Sequence, residues 1–418
     1  MGKRIRLRLS ALALACGVLA GCAPAASGTA PAPQPTASAG EQATASPSAA
    51  PAGLLAEMTL REKVGQLFLV RLDALDPALS QQTIDDADAP GVIEVSEAMA
   101  AFLEEYPVGG VVLFGKNITD EVQLRGLIAG LQQSSPVPVL IGIDEEGGVV
   151  ARLANSPGFD LPQYESAASM GAQGTDEVRA MSAEIGAYLA GYGINLDFAP
   201  VADVNTNPDN PVIGTRAFSS DPQEAADCVN AAVEGFSRAG VLCCLKHFPG
   251  HGDTAGDSHD GTVYTEKTME ELRACEFLPF EAGIRAGAPL VMVGHIAAPN
   301  AVEGEESDLP ATFSRALITD VLRDELGFAG VVVTDSLAMG AITETYTPGE
   351  AAVLALQAGA DLLLMPAGLA QAYDGVLAAV EDGRLTEERI DESVARILAL
   401  KQQAGLLQAP DTQQEDKG

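Results

Sequence analysis

The chain has 418 residues, of which 58 are Asp or Glu against 24 Lys or Arg, for a formal net charge of −34 at pH 7. An acidic excess of this size repels phosphate backbones and anionic headgroups, which excludes nucleic acid and charged lipid as partners of the folded surface. With 47% hydrophobic residues, the chain has ample material for a large core.

The N-terminus reads as an address. Lys3, Arg4, Arg6 and Arg8 precede the apolar run Leu9 to Leu19, which is too short to span a bilayer. Leu19-Ala20-Gly21-Cys22 resembles a bacterial lipobox. That resemblance implies a lipoprotein signal peptide over 1–22, lipidation of Cys22, anchorage to the membrane through the lipid and work outside the cytoplasm. An ordinary secretory signal with incidental Cys16 and Cys22 is the alternative. Residues 23–53 are Ala, Pro, Ser, Thr, Gly and Gln with almost nothing that could build a core, and read as a disordered tether. The polar stretch 408–418 reads as a disordered tail. One catalytic domain is expected over 54–407, the chain ending soon after it. Its cysteines are Cys228, Cys243, Cys244 and Cys275. An oxidising compartment allows one or two disulfides, but Cys243 and Cys244 lie in an apolar run and point to opposite faces, so buried free thiols are equally open.

Within the domain, eight apolar runs of strand length recur: Leu67–Val70, Gly110–Phe114, Val139–Asp144, Asn195–Pro200, Val241–Lys246, Leu290–His295, Val331–Asp335 and Asp361–Met365. Most are continuous rather than alternating, as strands covered on both faces require. Helical stretches lie between them. Thr59 with Glu62, Thr268 with Glu271, and Asp221 followed by Pro222 supply N-terminal signals, and Gly240 and Gly287 supply stops. Eight such units predict an α/β fold of the (β/α)8 TIM-barrel type, with a doubly wound sheet as the alternative that counting strands leaves open. Barrel enzymes build their sites at the C-terminal strand ends, where Asp144, Lys246-His247, His295 and Asp335 fall.

The four histidines, His247, His251, His259 and His295, all lie between residues 247 and 295. Three belong to the Gly-rich stretch Lys246-His247-Phe248-Pro249-Gly250-His251-Gly252-Asp253-Thr254-Ala255-Gly256-Asp257-Ser258-His259. A metal site is one reading, with His247, His251, Asp253 and His259 as ligands. Pro249, Gly250 and Gly252 oppose the helix that its i, i+4 spacing would need. A structural loop with histidines bonded to backbone is a second reading.

The third comes from resemblance. This stretch is similar to the signature of glycoside hydrolase family 3, in particular its β-N-acetylglucosaminidase branch. The similarity extends to Gly142-Ile143-Asp144-Glu145-Glu146-Gly147-Gly148 with Arg152, Asn195 to Val204, Ile213-Gly214-Thr215-Arg216-Ala217-Phe218, Val331 to Leu337 and Arg389 to Leu398. It implies Asp335 as the nucleophile of a retaining mechanism and His259, held by Asp257, as the general acid/base. It further implies Lys246, His247, Asp144, Arg152 and Arg216 as the sugar-binding set, with no metal and no cofactor. Val149 and Ala217 depart from the residues frequent in relatives and put only the outer pocket in doubt.

The chemistry suits these residue types. A retaining glycosidase needs an anionic nucleophile on one side of the anomeric carbon and a proton donor on the other. A histidine oriented by a neighbouring carboxylate meets the second need near neutral pH. Asp335 also admits a bland reading, as an N-cap for the segment that follows it. The implied substrate is a GlcNAc-terminated saccharide, either a peptidoglycan fragment such as a muropeptide or a chitin oligosaccharide. A neutral or protonated histidine would not repel an incoming anion, so phosphate is expected to compete with water as acceptor. The competing functions are a β-glucosidase or β-xylosidase of the same family and a non-catalytic sugar-binding lipoprotein.

Overall fold

A computed structural model describes residues 49–257 and 261–407. The segment read as a signal peptide, with Cys22, the greater part of that read as a tether, His259 and the stretch 408–418 read as a tail lie outside the described residues.

The eight predicted runs become eight barrel strands: β1 Phe68–Arg71, β2 Gly110–Val112, β3 Leu140–Ile143, β4 Leu196–Asp197, β5 Leu242–Phe248, β6 Leu290–Val293, β7 Val331–Thr334 and β8 Leu363–Leu364. Each pairs in parallel with its sequence neighbours from β1 through β7. The ring closes where Phe68 and Leu69 of β1 meet Leu363 and Leu364 of β8, and where Val333 bridges Leu362. This closure rules out an open doubly wound sheet. Apart from Arg71, every residue of these strands is buried, which is why the sequence shows unbroken apolar runs.

The helices start and stop where local chemistry dictates. Thr59 and Glu62 form a reciprocal capping box, as do Thr268 and Glu271. The Asp221 side chain accepts from the backbone N–H groups of Gln223 and Glu224, with Pro222 in the first turn. Gly240 ends that helix at a φ of 75°, a left-handed conformation that favours glycine. A first helix, Ala49–Glu57, begins ahead of residue 54 and so takes in the end of the segment read as tether. Its Leu54 and Leu55 pack on the core, and Pro51 sits in the first turn, where no backbone donor is needed.

All four described cysteines are free. Burial pushes the Cys243 thiol up to about 12, which suits inert core residues.

The N-terminal end of the barrel is sealed by helix Glu387–Gln403. Asp361, just before β8, is fully buried there. Its Oδ1 accepts from Ser393 Oγ at 2.7 Å and Arg396 at 2.9 Å, and its Oδ2 from Arg323 at 2.5 Å and the Val332 N–H at 3.0 Å. Lys401 of the same helix, also fully buried, donates to Gln66 Oε1 at 2.6 Å. At the opposite end, two short elements rise above the mouth. One is a hairpin of Glu145–Gly147 with Val150–Ala151, and the other a parallel pair of Val263–Tyr264 with Ile296–Ala297.

Candidate active site

The C-terminal mouth holds a cavity of about 480 Å³ to which each of the eight strands, or the residues directly after it, contributes a side chain, β6 through Met292.

The construction begins at Asp144-Glu145-Glu146. Successive side chains of an extended segment point to opposite sides, so Asp144 and Glu146 face one way and Glu145 the other. The Glu145 carboxylate turns into the protein. It accepts from the backbone N–H groups of Arg152, Leu153 and Ala154 at 2.5, 2.9 and 2.8 Å and from the Tyr188 hydroxyl at 2.8 Å. These bonds fix the hairpin and with it the backbone that carries Arg152.

Asp144 and Glu146 line the cavity. Lys246 Nζ lies 2.8 Å from Asp144 Oδ1 and 2.7 Å from Glu146 Oε1. Arg216 grips Glu146 with two bonds, at 2.9 and 2.7 Å, and Arg152 stands 3.7 Å from Asp144. Burial opposes ionisation of Glu146, but the charges of Lys246 and Arg216 outweigh it and bring its carboxyl to about 2. Burial likewise disfavours the Lys246 ammonium, and Asp144 and Glu146 reverse this and hold it charged. Glu146 and Lys246 are therefore held in their charged forms, within a lattice of donors and acceptors at the cavity wall.

His247 also lines the cavity. Its Nδ1 is 2.7 Å from Asp203 Oδ2, while Asp203 Oδ1 accepts the backbone N–H groups of His247 and His251 at 3.2 and 2.7 Å. Burial works against the Asp203 carboxylate, yet the His247 side chain and, after it, His251 with its backbone N–H keep it below the usual range. The pairing orients the imidazole and leaves Nε2 as its second nitrogen.

Asp335 follows β7 directly. Its own N–H donates to the Val293 carbonyl at 2.9 Å, and its Oδ1 accepts from the Ser336 N–H at 2.7 Å. Burial would raise its carboxyl, but His295, His247, the Ser336 N–H and Lys246 lower it, so it stands as a carboxylate at the cavity wall. It caps no helix: the next one begins at Gly340, with Met339 in the cap position. His295 braces it from behind, with Nδ1 2.7 Å from Thr312 Oγ1 and Nε2 2.8 Å from the Ser336 carbonyl.

The structure thus brings six of the sequence-predicted residues, Asp144, Arg152, Arg216, Lys246, His247 and Asp335, around one cavity. Asp257 sits half-buried on the loop after β5, and among the described residues it is not part of that wall. Its expected partner His259 lies outside the described residues. Of the residues considered as metal ligands, Asp253 turns to Thr206 and Lys267 and His251 Nδ1 lies by Thr254 Oγ1, and no group of three or more metal-binding side chains forms among the described residues.

Three contributors escape a sequence reading. Glu146 lies two residues after Asp144 in an extended segment, and that period of two places it on the same side. Asp203 is an acid in the otherwise apolar run Phe198 to Val204, a signal of a buried partner. Arg71 ends β1 one residue beyond the predicted run and lines the cavity beside Asp85, 3.6 Å away.

A closed (β/α)8 barrel with an ionised strand-end aspartate facing such a lattice has the makings of a sugar-processing site, and comparison with known proteins makes the class definite. The description "Glycosyl hydrolase family 3 N terminal domain" matches residues 59–400. The chain belongs to that family and is a glycoside hydrolase. It is 34% identical over 366 residues to "Beta-hexosaminidase LpqI" of Mycobacterium tuberculosis, covering 84% of this chain and 85% of that protein. It is 36% identical over 329 residues to "Beta-hexosaminidase A" of Pseudoalteromonas piscicida, of whose length it spans 54%. Among solved structures, a family 3 β-N-acetylglucosaminidase from Paenibacillus sp. superposes with a TM-score of 0.75 at 41% identity, over 84% of this chain and 63% of that one.

Proposed function

We propose that the protein is a retaining exo-β-N-acetylglucosaminidase that removes terminal β-linked GlcNAc, with peptidoglycan fragments as its substrate. The observation that carries this reading is the Asp335 carboxylate sharing a cavity with the Lys246, Asp144, Glu146 and Arg216 lattice. The lattice, with Arg152 and His247, binds the hydroxyls and N-acetyl group of the terminal sugar. Asp335 attacks the anomeric carbon as the bond to the leaving oxygen breaks, and His259, steadied by Asp257, gives that oxygen its proton. Water then attacks the glycosyl-enzyme, His259 takes the water's proton, and Asp335 is released. Hydrolase relatives named for hexosamine substrates support the choice of sugar. The lipobox-like Leu19 to Cys22 supports work outside the cytoplasm on a membrane anchor.

A broader specificity has one observation behind it. A Cellulomonas fimi relative, 33% identical over 84% of this chain, carries the name "Beta-N-acetylglucosaminidase/beta-glucosidase". Paired chromogenic N-acetylglucosaminide and glucoside substrates decide between the readings. The proposal expects kcat/KM to favour the N-acetyl sugar strongly; equal or better turnover of the glucoside would refute it. Product analysis of the same reactions with added phosphate reads whether a glycosyl phosphate forms beside free sugar.

A further inference from the structure

The connection from β5 to β6 carries Asp257 and, in sequence, His259. Its near root, residues 251–254, is bound from the segment after β4. Asn210 Nδ2 donates to the carbonyls of His251 at 2.8 Å and Thr254 at 3.0 Å, and Asn207 Nδ2 to the Thr254 carbonyl at 3.1 Å. The far root is bound separately: Val263–Tyr264 pairs with Ile296–Ala297, and the Thr265 N–H donates to the Ala297 carbonyl at 3.0 Å.

Lys267 lies just past the far root and reaches back to the near one. Its ammonium is 3.6 Å from Asp253 Oδ1 and 3.4 Å from Thr206 Oγ1, and Thr206 in turn donates to Asp253 Oδ1 at 3.1 Å. The same ammonium pairs with Glu276, whose carboxylate is 1% exposed and has Oε2 without a hydrogen-bond partner. Glu276 is in turn packed against Gly250, the residue that leads into the near root. A Cβ on Gly250, whose φ is +127°, would stand 2.4 Å from Glu276 Cγ. A cation anchored to a buried carboxylate thus ties together the two ends of the loop.

We propose that Lys267 is a positioning residue for the acid/base step, stapling the two roots of the β5 to β6 loop through Asp253 and Thr206 with Glu276 as its anchor. Joining the ends of a loop removes conformations in which its side chains miss the leaving oxygen, and small misplacements of a proton donor are costly in rate. The inference rests on the retaining-glycosidase reading above.

The test uses the full chain and a series of aryl N-acetylglucosaminides of graded leaving-group pKa. Lys267→Met would leave a buried carboxylate unpaired, so Lys267→Met/Glu276→Gln is measured beside it, with Thr206→Val as a milder break and Lys267→Arg as the conservative control. For the double variant kcat/KM is expected to stay within about threefold of the parent on the best leaving groups. It should fall about 10- to 100-fold on the poorest, because the need for a placed acid grows with leaving-group pKa. Thr206→Val should show the same slope more weakly, and Lys267→Arg should restore most of the loss. Equal losses along the series, or no loss, would overturn the staple. If the parent itself turned over no N-acetylglucosaminide, the underlying function would fall instead.

Discussion

The two ends of the barrel bury carboxylates between cations by similar means and to opposite effect. At the N-terminal end both oxygens of Asp361 are saturated by Arg323, Arg396, Ser393 and a backbone N–H, and helix Glu387–Gln403 closes over them. At the C-terminal end Glu146 is held by Lys246 and Arg216, but both of these cations also line a cavity and keep donors for a ligand. A buried ion cluster is thus structural or functional according to whether its remaining hydrogen-bonding capacity is covered by protein or by substrate. Barrel folds separate the two roles by end.

The contrast is broken most severely by a matched pair of amides. Asp335→Asn should lower kcat on the order of 10⁴-fold, since an amide cannot form the glycosyl-enzyme, while thermal unfolding hardly moves. Asp361→Asn should do the reverse, costing about 3–5 kcal/mol in denaturant titrations because two arginines lose a buried partner, with kcat of the folded fraction unchanged. Burial opposes the Asp361 carboxylate but the surrounding arginines depress its folded-state pKa, so its stabilisation is present above the ordinary carboxylate range and is lost as pH falls below it. A large stability loss from Asp335→Asn, or a kinetic one from Asp361→Asn, would erase the division between the ends.

Lys401 sharpens the picture of the N-terminal end. Burial alone lowers its pKa to about 7, so the unfolded chain binds more protons than the folded one between that value and the ordinary 10.5. Stability should therefore rise with pH across that window. Lys401→Met should flatten the rise and stabilise the protein at pH 7 by about 1–3 kcal/mol, after allowing for the acceptor that Gln66 loses. Urea titrations from pH 6 to 10 measure both, and an unchanged slope in the variant would show that the lysine is charged when folded.

Much of this was legible in the chain. The strands were, because burial on both faces leaves a continuous apolar run, and the strand-end residues Asp144, Lys246, His247 and Asp335 were, because a barrel can only place them at one mouth. What was not legible depends on contacts that sequence distance hides. Lys401 and Gln66 lie 335 positions apart, and Lys267 reaches Asp253 across the very loop it closes. The division of labour in Asp144-Glu145-Glu146 needed the hairpin that turns Glu145 inward. The start of the first helix at Ala49 was masked by a composition shared with the tether, since Ala favours a helix once Leu54 and Leu55 supply a surface to pack.

The finest comparison lies within the C-terminal end, between residues that line the cavity and one that orients them from outside it. Asp203 does not line the cavity, yet it holds His247 Nδ1 with one oxygen and two backbone N–H groups with the other. Asp203→Asn cannot satisfy both sides. If the amide oxygen keeps the N–H groups, its NH₂ faces Nδ1 and forces the imidazole into the tautomer that presents an N–H, not a lone pair, from Nε2. If the amide turns over, NH₂ faces two donors. Either way the substrate loses one well-directed hydrogen bond, and kcat/KM should fall about tenfold, equivalent to about 1.4 kcal/mol. The effect runs through His247, so in a His247→Ala background the same substitution should cost almost nothing further. A full tenfold loss in that background would mean that Asp203 acts instead through the backbone of the loop at His251.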